Sequence, residues 1–453
     1  MDITLGDPRM TKKHKKKKDK KKKDAEKTTE VVIVGAGFAG IGCAKDLAKR
    51  HDVHVTLLDK HNYHQFLPLL YQVATYQLSP TDVAMDLRQE FRKHPRVSVK
   101  MGEVASIDPS TRSVALADGR TFSGDYIVLA AGSQANFFDT PGAEHVFPLY
   151  SLDDAERLRS RLLAIFEDAD RDPSLVDKGA LNVVIVGAGA TGTEVAGAIG
   201  DLVRDVLPSE FHDLAVDKAK VIVVDLGDAV LGPFSPKAHA YASKVLLGLG
   251  VELRLGTSVK EIARDHVVLS DGSTILTHCV VWGGGLKAAP LAGASGLKQG
   301  RGGRIDVEPD LTVADHPGIY AVGDIANTPD QQGATFPQLG SVALQAGSTV
   351  AANIIADIEG KPRETFDYHD KGIMAMIGRG AAVAEVGEHR HELHGAIAFA
   401  AWLGVHAWLM SGVRQRIDAF VSWGWDYFGK SRAPQILDRS DAAHIDWGND
   451  DDA

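Results

Sequence analysis

The chain has 453 residues, 44% of them hydrophobic, which suits two or three packed domains better than one. Its two cysteines, Cys43 and Cys279, lie far apart, which excludes a disulfide framework and a paired-cysteine redox centre. The net charge of −10 conceals a lysine-rich start, Lys12–Lys23, and an acidic end, Asn449–Asp452. Residues 1–30 and 435–453 are therefore expected to be disordered tails, the first either a lipid-binding segment or simply solvated. The lysine run lacks the apolar core of a secretion signal.

The first predicted element is a buried strand, Val31–Val34, which enters a glycine cluster and then a helix, Ile41–Arg50. In Gly35-Ala36-Gly37-Phe38-Ala39-Gly40, the glycines permit a tight turn, close approach of a pyrophosphate and close helix packing. The helix N-terminus supplies N–H donors to an anion. Asp59 closes the next strand, Val53–Leu58, where a carboxylate can accept hydrogen bonds from ribose hydroxyls. The candidate cofactor residues here are Gly35, Gly37, Phe38, Ala39, Gly40, Asp59 and Lys60.

Short strands and one long helix follow. Ser98–Arg120 alternates like strand pieces with a turn at Asp118-Gly119, and Tyr126–Ala130 is a buried strand that ends at Ala131-Gly132. Leu152–Asp168 has the spacing of an amphipathic helix.

The glycine pattern returns 152 positions after Gly35, behind strand Val183–Val186. Here the cluster is Gly187-Ala188-Gly189-Ala190-Thr191-Gly192, and Asp225 ends the following strand, Val221–Val224. An acidic group with no arginine immediately beside it favours the 2′-hydroxyl of NADH over the 2′-phosphate of NADPH. The candidate residues are Gly187, Gly189, Thr191, Gly192 and Asp225. Glu194 lies in the first helical turn, where it either benefits from the helix dipole or acts beside the nicotinamide.

The remaining elements continue the alternation of strands and helices that is typical of parallel sheets. They are a helix at Ala238–Leu249, strand pieces through Val267–Trp282, a strand at Ile319–Val322 that ends in Gly323-Asp324, and a helix at Val342–Ile358. The chain has no Gly-x-Ser-x-Gly elbow or convincing cysteine–histidine pair for nucleophilic catalysis. His389, His391 and His394 are more typical of a solvated turn than of a metal site, so no metal is predicted.

The C-terminal region, beyond Phe366, is rich in tryptophan and alanine. Gly395–Val413 is long enough to span a bilayer, but its alanine, glycine and His406 argue against spanning. At 100° per residue, one helical face collects Val413, Ile417, Phe420, Val421, Gly424 and Phe428. Trp402, Trp408, Trp423 and Trp425 suit a membrane headgroup boundary. The alternatives are core packing and a dimer contact.

Over about Val31–Lys430 the chain resembles the two-dinucleotide-binding-domain flavoproteins, and more narrowly the type II NADH:quinone oxidoreductases. Besides the glycine clusters, the resemblance rests on His61–Ala74, Ala130–Ser133, Gly318–Asp324 and Lys371–Gly378. It implies an α/β fold with two Rossmann-like domains, for FAD and NADH, and a C-terminal membrane-anchoring region with amphipathic helices. The implied ranges are 31–150 with 299–365 for FAD, 151–298 for NADH, and 366–434 for the anchor.

The resemblance also implies roles for individual residues. Asp324 would hold the flavin ribityl chain, and Glu194 would lie near the nicotinamide and the electron acceptor; Ala131, Gly132, Gly284 and Gly323 join the cofactor-binding set. The family's acceptor pattern Ala-Gln-x-Ala-x-Gln differs in this chain, which has Gly340-Ser341-Val342-Ala343-Leu344-Gln345. A serine hydroxyl can still donate to a quinone carbonyl but reaches less far. Ser341, Gln345 and Lys371 are the candidate acceptor-site residues.

The implied activity is FAD-dependent oxidation of NADH, with hydride passing from nicotinamide C4 to flavin N5 and two electrons passing to a quinone without proton pumping. The implied location is peripheral, on the inner leaflet at the cytoplasmic face of the plasma membrane. The expected partners are menaquinone or ubiquinone and the membrane surface, not nucleic acid; a homodimer stays open. The competing interpretations are a soluble NADH-dependent ferredoxin-type reductase and a slowly reacting FAD/NADH redox sensor. Sulfide:quinone and disulfide reductases are excluded because they need paired redox cysteines.

Overall fold

The computed structural model describes residues 28–410, 412–429, 432, 435–437 and 444–447. Nearly all of the predicted lysine-rich tail, residues 1–27, lies outside the described residues.

The first part of the chain builds most of one parallel sheet and the small elements around it. Its strands are β1 Thr29–Val34, β2 Val53–Asp59, β3 Tyr63–Gln65, β4 Ala84–Asp86, β5 Val97–Met101, β6 Val104–Asp108, β7 Ser113–Leu116, β8 Thr121–Ser123, β9 Tyr126–Leu129, β10 Ser133–Ala135 and β11 Phe147–Pro148. Its helices are α1 Phe38–Leu47, α2 Leu70–Ala74, α3 Pro80–Val83 and α4 Leu87–Glu90.

The middle of the chain builds the second sheet. Its helices are α5 Leu152–Arg171, α6 Ala190–Asp201, which continues as a π-helix over Leu202–Val206, α7 Leu207–Glu210 and α8 Pro236–Gly248. Its strands are β12 Asn182–Val186, β13 Lys220–Asp225, β14 Val251–Leu255, β15 Val259–Ile262, β16 His266–Leu269, β17 Thr274–Leu276, β18 Cys279–Trp282 and β19 Leu286–Ala288.

The chain then returns to the first sheet and ends in a small antiparallel sheet with two helices. The return consists of α9 Leu291–Ala294, β20 Ile305–Asp306, β21 Ile319–Ala321, β22 Ala326–Asn327 and α10 Gly340–Glu359. The last elements are β23 Gly372–Gly378, β24 Ala381–Val386, β25 His391–His394, α11 Ala396–Leu409 and α12 Val413–Gly429. Short 3-10 turns occupy Leu67–Leu69, Ala143–His145, Pro173–Lys178, Val216–Lys218, Arg301–Gly303 and Gly323–Ile325.

Two five-stranded parallel sheets organise the fold. The first has the order β21-β9-β1-β2-β5, and the second has the order β11-β18-β12-β13-β14. The apolar β-branched runs β1 and β12 lie in the middle of their sheets, where both faces are covered by other elements. Because parallel strands end at the same edge, each glycine cluster lies at the carboxyl edge of its sheet. The predicted pair of Rossmann-like sheets is confirmed.

The chain crosses between the two sheets twice, and the two crossings pair with each other. Strand β10 leaves the first sheet, β19 returns to it, and the two form an antiparallel ladder with Ser133 opposite Ala288 and Ala135 opposite Leu286. This pair is the direct backbone connection between the two nucleotide-binding halves.

The C-terminal helix α12 has one face against the protein and one face open. Ala419, Trp423 and Asp426 are buried. The indole Nε1 of Trp423 donates to Oε1 of Gln72 at 2.8 Å. The exposed apolar side chains on this helix are Val413, Ile417, Phe420, Val421 and Trp425. Val413, Ile417, Phe420 and Val421 of the predicted apolar face therefore point away from the protein.

The prediction that four tryptophans lie at a membrane boundary is wrong for two of them. Trp402 and Trp423 are 0% and 2% exposed, whereas Trp408 and Trp425 are 76% and 69% exposed. The buried pair meets edge to face at 6.2 Å inside the core, where it removes a large apolar area from water. Among the described residues, no helix combines the length and apolar character needed to cross a bilayer.

Part of the predicted acidic tail packs against the protein. Nε1 of Trp447 donates to Oδ2 of Asp168 at 2.9 Å, and Nζ of Lys178 donates to the Trp447 carbonyl at 3.1 Å. The Trp447 ring lies 4.3 Å from the ring of His278. The expectation of a disordered end is therefore wrong for residues 444–447, because the indole has both a ring contact and a hydrogen-bond acceptor.

Candidate active site

The first glycine cluster forms a tight turn whose outer side is open. Gly35 has φ +104°, and a Cβ there would lie 2.2 Å from the carbonyl oxygen of Ala130. A Cβ on Gly40 would lie 1.8 Å from the carbonyl oxygen of Gly35. Around a Cβ on Gly37, by contrast, there is nothing within 4 Å. The two outer glycines are needed for backbone packing, while the middle one leaves room for a ligand at the N-terminus of α1.

The second glycine cluster repeats this geometry. Gly187 has φ +101°, and its Cβ would lie 2.7 Å from the backbone of Gly283. A Cβ on Gly192 would lie 1.8 Å from the carbonyl oxygen of Gly187, and the space at Gly189 is again open. Both clusters thus fit a dinucleotide pyrophosphate, one at each sheet.

The acidic residue behind each cluster holds the loop in place. Oδ2 of Asp59 accepts from the N–H of Ala36 at 2.7 Å, and Oδ2 of Asp225 accepts from the N–H of Ala188 at 2.6 Å. Each carboxylate also receives a second backbone N–H, from His61 and Gly227 respectively. A carboxylate has about four acceptor positions, so ribose recognition by both residues remains a prediction compatible with these bonds.

A small open cavity lies beside the carboxyl edge of the first sheet and contains Gly323 and Asp324 in its wall. Oγ of Ser133 donates to Oδ2 of Asp324 at 2.9 Å. Burial raises the pKa of Asp324, while Ser133 and the guanidinium of Arg304 act in the opposite direction. The Asp324 carboxyl group is thus held at the cavity wall, and its contact with a flavin ribityl chain stays a prediction.

The cavity also contains residues that sequence analysis missed. Arg304 is 8% exposed and donates to the carbonyl of Phe336 at 3.2 Å. Phe336, Gln338 and Leu339 line the same wall just before α10. For Phe336, Gln338 and Leu339, the only sequence signal was their position between Gly323 and α10. Their contact with the cavity depends on how the chain returns to the first sheet.

Aromatic rings connect the first glycine cluster to the C-terminal helix α11. Phe38 meets His64 at 5.3 Å and Phe66 at 5.7 Å, both edge to face. Phe66 in turn meets His406 at 6.2 Å, and His406 stacks on Trp402 at 3.9 Å. Burial lowers the pKa of His406 to about 4, so this ring is neutral near pH 7. The highly specific His61–Ala74 motif thus contributes an apolar aromatic wall.

Glu194 is the fifth residue of α6, just beyond the first turn in which it was expected, and its carboxyl group is surrounded by protein although part of the side chain is accessible. Oε1 accepts from the N–H of Met376 in β23 at 3.2 Å. Burial raises the pKa of Glu194 to about 8, and the Met376 N–H and the Trp402 indole partly oppose this shift. The indole N–H of Trp402 itself lacks a well-formed hydrogen bond. Glu194 can therefore hold a proton near neutral pH, which the helix dipole alone did not suggest.

The three predicted acceptor residues lie around one segment, residues 366–371, which leads from α10 to β23. Oγ of Ser341 is 2.9 Å from the hydroxyl of Tyr368. The carboxamide of Gln345 donates to the His369 carbonyl and accepts from the His369 N–H, both at 3.0 Å. Lys371 is exposed where the segment enters β23. Ser341 and Gln345 therefore already have protein partners, and their direct contact with an acceptor remains a prediction.

The structure brings most of the predicted cofactor residues to the carboxyl edges of the two sheets. The carboxyl edge of the first sheet collects Gly35, Gly37, Phe38, Ala39, Gly40, Asp59, Lys60, Ala131, Gly132, Gly323 and Asp324. The edge of the second sheet collects Gly187, Gly189, Thr191, Gly192, Asp225 and Gly284. Cys43 and Cys279 are separately buried free thiols. No group of histidines, cysteines and carboxylates within the described part of the chain could hold a metal ion.

Comparison with known proteins agrees with this geometry. Residues 29–347 match the family model described as pyridine nucleotide-disulphide oxidoreductase. Two type II NADH:quinone oxidoreductases of Mycobacterium tuberculosis, NdhA and Ndh, are each 37% identical, over 90% and 87% of this chain and 89% and 87% of their own. The structure of NDH2 from Plasmodium falciparum in complex with NADH has a similar fold, with a TM-score of 0.82 and 17% identity over 90% of this chain and 100% of that one.

Proposed function

Because this chain belongs to the pyridine nucleotide-disulphide oxidoreductase family and, within it, to the type II NADH:quinone oxidoreductases, we infer that it oxidises NADH with FAD and reduces a membrane quinone. NADH, one proton and quinone give NAD⁺ and quinol, without proton pumping. The observation that carries this proposal is the pair of open glycine cradles, which the β10–β19 ladder joins beside the Asp324 cavity. Held in this way, two ring systems can meet face to face.

The first cradle and the Asp324 cavity would hold FAD. The N-terminus of α1 would receive the pyrophosphate, Asp59 would accept from the adenosine ribose, and Asp324 would accept from the ribityl hydroxyls. Bound FAD supplies an acceptor for hydride and a two-electron donor for quinone. The protein residues position it and exclude water.

The second cradle would hold NADH. Gly187–Gly192 would receive the pyrophosphate at the N-terminus of α6, and Asp225 would select the free 2′-hydroxyl. Glu194 follows Gly192 by two residues in α6, so its carboxyl group would lie near the nicotinamide. We assign it the task of holding the proton that the quinone oxygen requires.

The acceptor side would be formed by the segment that follows α10. Lys371 would contact the quinone, and Ser341 and Gln345 would keep Tyr368 and His369 in position for it. This division of roles fits the short side chain of Ser341. Its hydroxyl forms a hydrogen bond with the Tyr368 hydroxyl and would act on the quinone only through that residue.

The proposed function is tested by anaerobic stopped-flow mixing of the FAD-loaded protein with NADH or NADPH, followed by short-chain menaquinone or ubiquinone analogues. We expect rapid bleaching of the flavin by NADH, slower bleaching by NADPH, and rapid return of colour with at least one quinone. Return of colour only with an iron–sulfur protein would favour a ferredoxin-type reductase. Bleaching without return of colour by either type of acceptor would favour a redox sensor.

We propose that helices α11 and α12 lie on the inner leaflet of the plasma membrane. Trp408, Phe420 and Trp425 are 76%, 53% and 69% exposed, and Ile397 and Ile417 of the same helices are exposed as well. We take these side chains as one apolar surface. Arg414 pairs with Asp418 at 3.4 Å, but its side chain is 87% exposed and can also meet anionic headgroups. A quinone dissolved in the lipid would then reach the aromatic wall from the anchored side.

The triple variant Trp408→Ser, Phe420→Ser, Trp425→Ser is expected to float poorly with vesicles of phosphatidylethanolamine and phosphatidylglycerol. Loss of three large apolar contacts should weaken partitioning by at least about 10²-fold. Reduction of a long-chain quinone in the vesicles should fall, while NADH oxidation by a soluble dye should not.

The matched control replaces Met101, Leu247 and Leu276, which are exposed elsewhere at 53%, 59% and 45%, with serine. Light scattering on both variants measures the molar mass and so distinguishes a dimer interface from a membrane-binding surface. If the first triple variant keeps its vesicle binding but changes from dimer to monomer, the surface is a subunit interface and the membrane proposal is wrong.

A further inference from the structure

Two adjacent residues after β10 adopt a backbone conformation that residues other than glycine rarely adopt. Phe138 and Asp139 have φ +50° and +55°, in the left-handed region. Left-handed backbone is unfavourable for a residue with a Cβ and persists only when its surroundings enforce it. Phe138 is also 63% exposed, so burial of its ring does not offset this cost.

Hydrogen bonds on both sides fix this turn. The Phe138 N–H donates to Oδ1 of Asn136 at 3.1 Å, and the Asn136 N–H donates to the carbonyl of Gly285 at 3.0 Å. The indole of Trp282 donates to the Asn136 carbonyl at 3.0 Å. The strained turn is therefore anchored to the loop that follows β18, in the second domain.

The Phe138 ring lies over Gly285, in the loop that follows β18 behind the second cradle. Cζ of the ring lies 3.0 Å from where a Cβ on Gly285 would stand. Two residues earlier, Gly283 packs against Gly187 of the second cradle. In the other direction, the β10 strand begins at Ser133, which binds Asp324 of the flavin cavity.

We propose that Phe138 is a binding residue for the nicotinamide half of NADH, against which its ring packs. This inference rests on the proposed function, because a nicotinamide that reaches the flavin must leave the second cradle past Gly283–Gly285. A flat aromatic ring held over a glycine offers an apolar wall to a flat ligand ring. The backbone strain is then the cost of presenting that ring outside the core.

The test compares binding of NAD⁺ and of ADP-ribose, which lacks the nicotinamide, by calorimetry on the FAD-loaded protein. In Phe138→Ala, we expect the Kd of NAD⁺ to rise about five- to ten-fold while the Kd of ADP-ribose stays unchanged. Phe138→Tyr should bind like the parent. Phe138→Asn, which tolerates left-handed backbone, should behave like Phe138→Ala and so separates loss of the ring from strain.

Leu276→Ala, at another exposed apolar side chain of the second domain, is the matched control and should change neither Kd. Equal NAD⁺ binding by Phe138→Ala and the parent, or an equal loss of ADP-ribose binding, would overturn the inference. If the parent protein binds both ligands but NADH does not bleach its flavin, the proposed function fails, whereas the ratio of the two Kd values still decides the role of Phe138.

Discussion

Replacing Glu194 with glutamine is expected to slow quinone reduction by about 10²-fold or more, which is the usual contribution of a positioned proton donor. Glutamine keeps the size of the side chain and a carbonyl that can accept from the Met376 N–H, but its amide group has no acidic proton to transfer. Flavin bleaching by NADH should be affected much less, because hydride transfer needs no proton from the protein. Single-turnover mixing separates the two half-reactions.

The same variant should change the pH dependence. Since the pKa of Glu194 is raised to about 8, the parent should lose quinone reduction as the pH rises through that value, and Glu194→Gln should not show this loss. Glu144→Gln, at a side chain that is 74% exposed, is the control and should keep the parental profile. Unchanged quinone reduction in Glu194→Gln would exclude Glu194 as the proton donor.

Stability supplies a second readout with a defined sign. An acid whose pKa is higher in the folded than in the unfolded protein stays protonated longer when folded, so the free energy of unfolding falls as pH rises between the two values. For Glu194 this interval runs from the ordinary 4.5 to about 8. The Tm of Glu194→Gln should therefore match that of the parent near pH 4.5 and exceed it increasingly up to pH 8.

Replacing Gly347 with alanine is expected to remove most of the bound FAD. Gly347 lies in α10 where this helix crosses α1, and a Cβ there would be 2.2 Å from the carbonyl oxygen of Ala39. The Ala39 backbone cannot move aside as a flexible side chain can, so α1 and α10 would have to separate to accommodate the added methyl group. Ala39 belongs to the first glycine cluster, and its displacement would distort the pyrophosphate cradle. We expect destabilisation of about 1–3 kcal/mol from overpacking.

Gly404→Ala is the matched control, because Gly404 lies inside helix α11 with nothing within 4 Å of its Cβ position. Alanine is favoured over glycine in a helix by about 1 kcal/mol, so this variant should be as stable as the parent or more so. The ratio of flavin to protein absorbance after purification and the Tm measure both effects. Full flavin content in Gly347→Ala would show that the helix crossing is not needed to shape the cradle.

The two glycine clusters and their acidic partners could be predicted because the information is local. Gly35 and Gly187 adopt φ near +100°, which the strand–glycine–helix pattern demands, and the carboxylate at the end of the next strand lies beside the loop in any parallel pair. The apolar face of α12 was equally readable, since helical periodicity fixes which side chains share a face. Along α11, which is apolar on all sides, periodicity could not decide which tryptophan is buried.

Roles that depend on distant contacts were not readable in the same way. Gln345 has the position that a motif gives to an acceptor ligand, yet its carboxamide holds His369, 24 residues further along the chain. The sequence left Glu194 open to two interpretations, and it could not show that the Met376 N–H of β23 donates to the carboxyl group. Gly347 and Phe138 carry no motif, because their importance comes from the helix crossing and the domain connection.

The amino-acid order by itself determined two dinucleotide folds, their cradles and an amphipathic C-terminal helix, because these follow from backbone preferences and spacing within a few turns or strands. Only the tertiary structure decided the burial of the Glu194 carboxyl group, the burial of Trp402 and Trp423, and the position of Phe138 against Gly285. Those properties depend on desolvation and contact, which exist only after segments far apart in the chain have packed together.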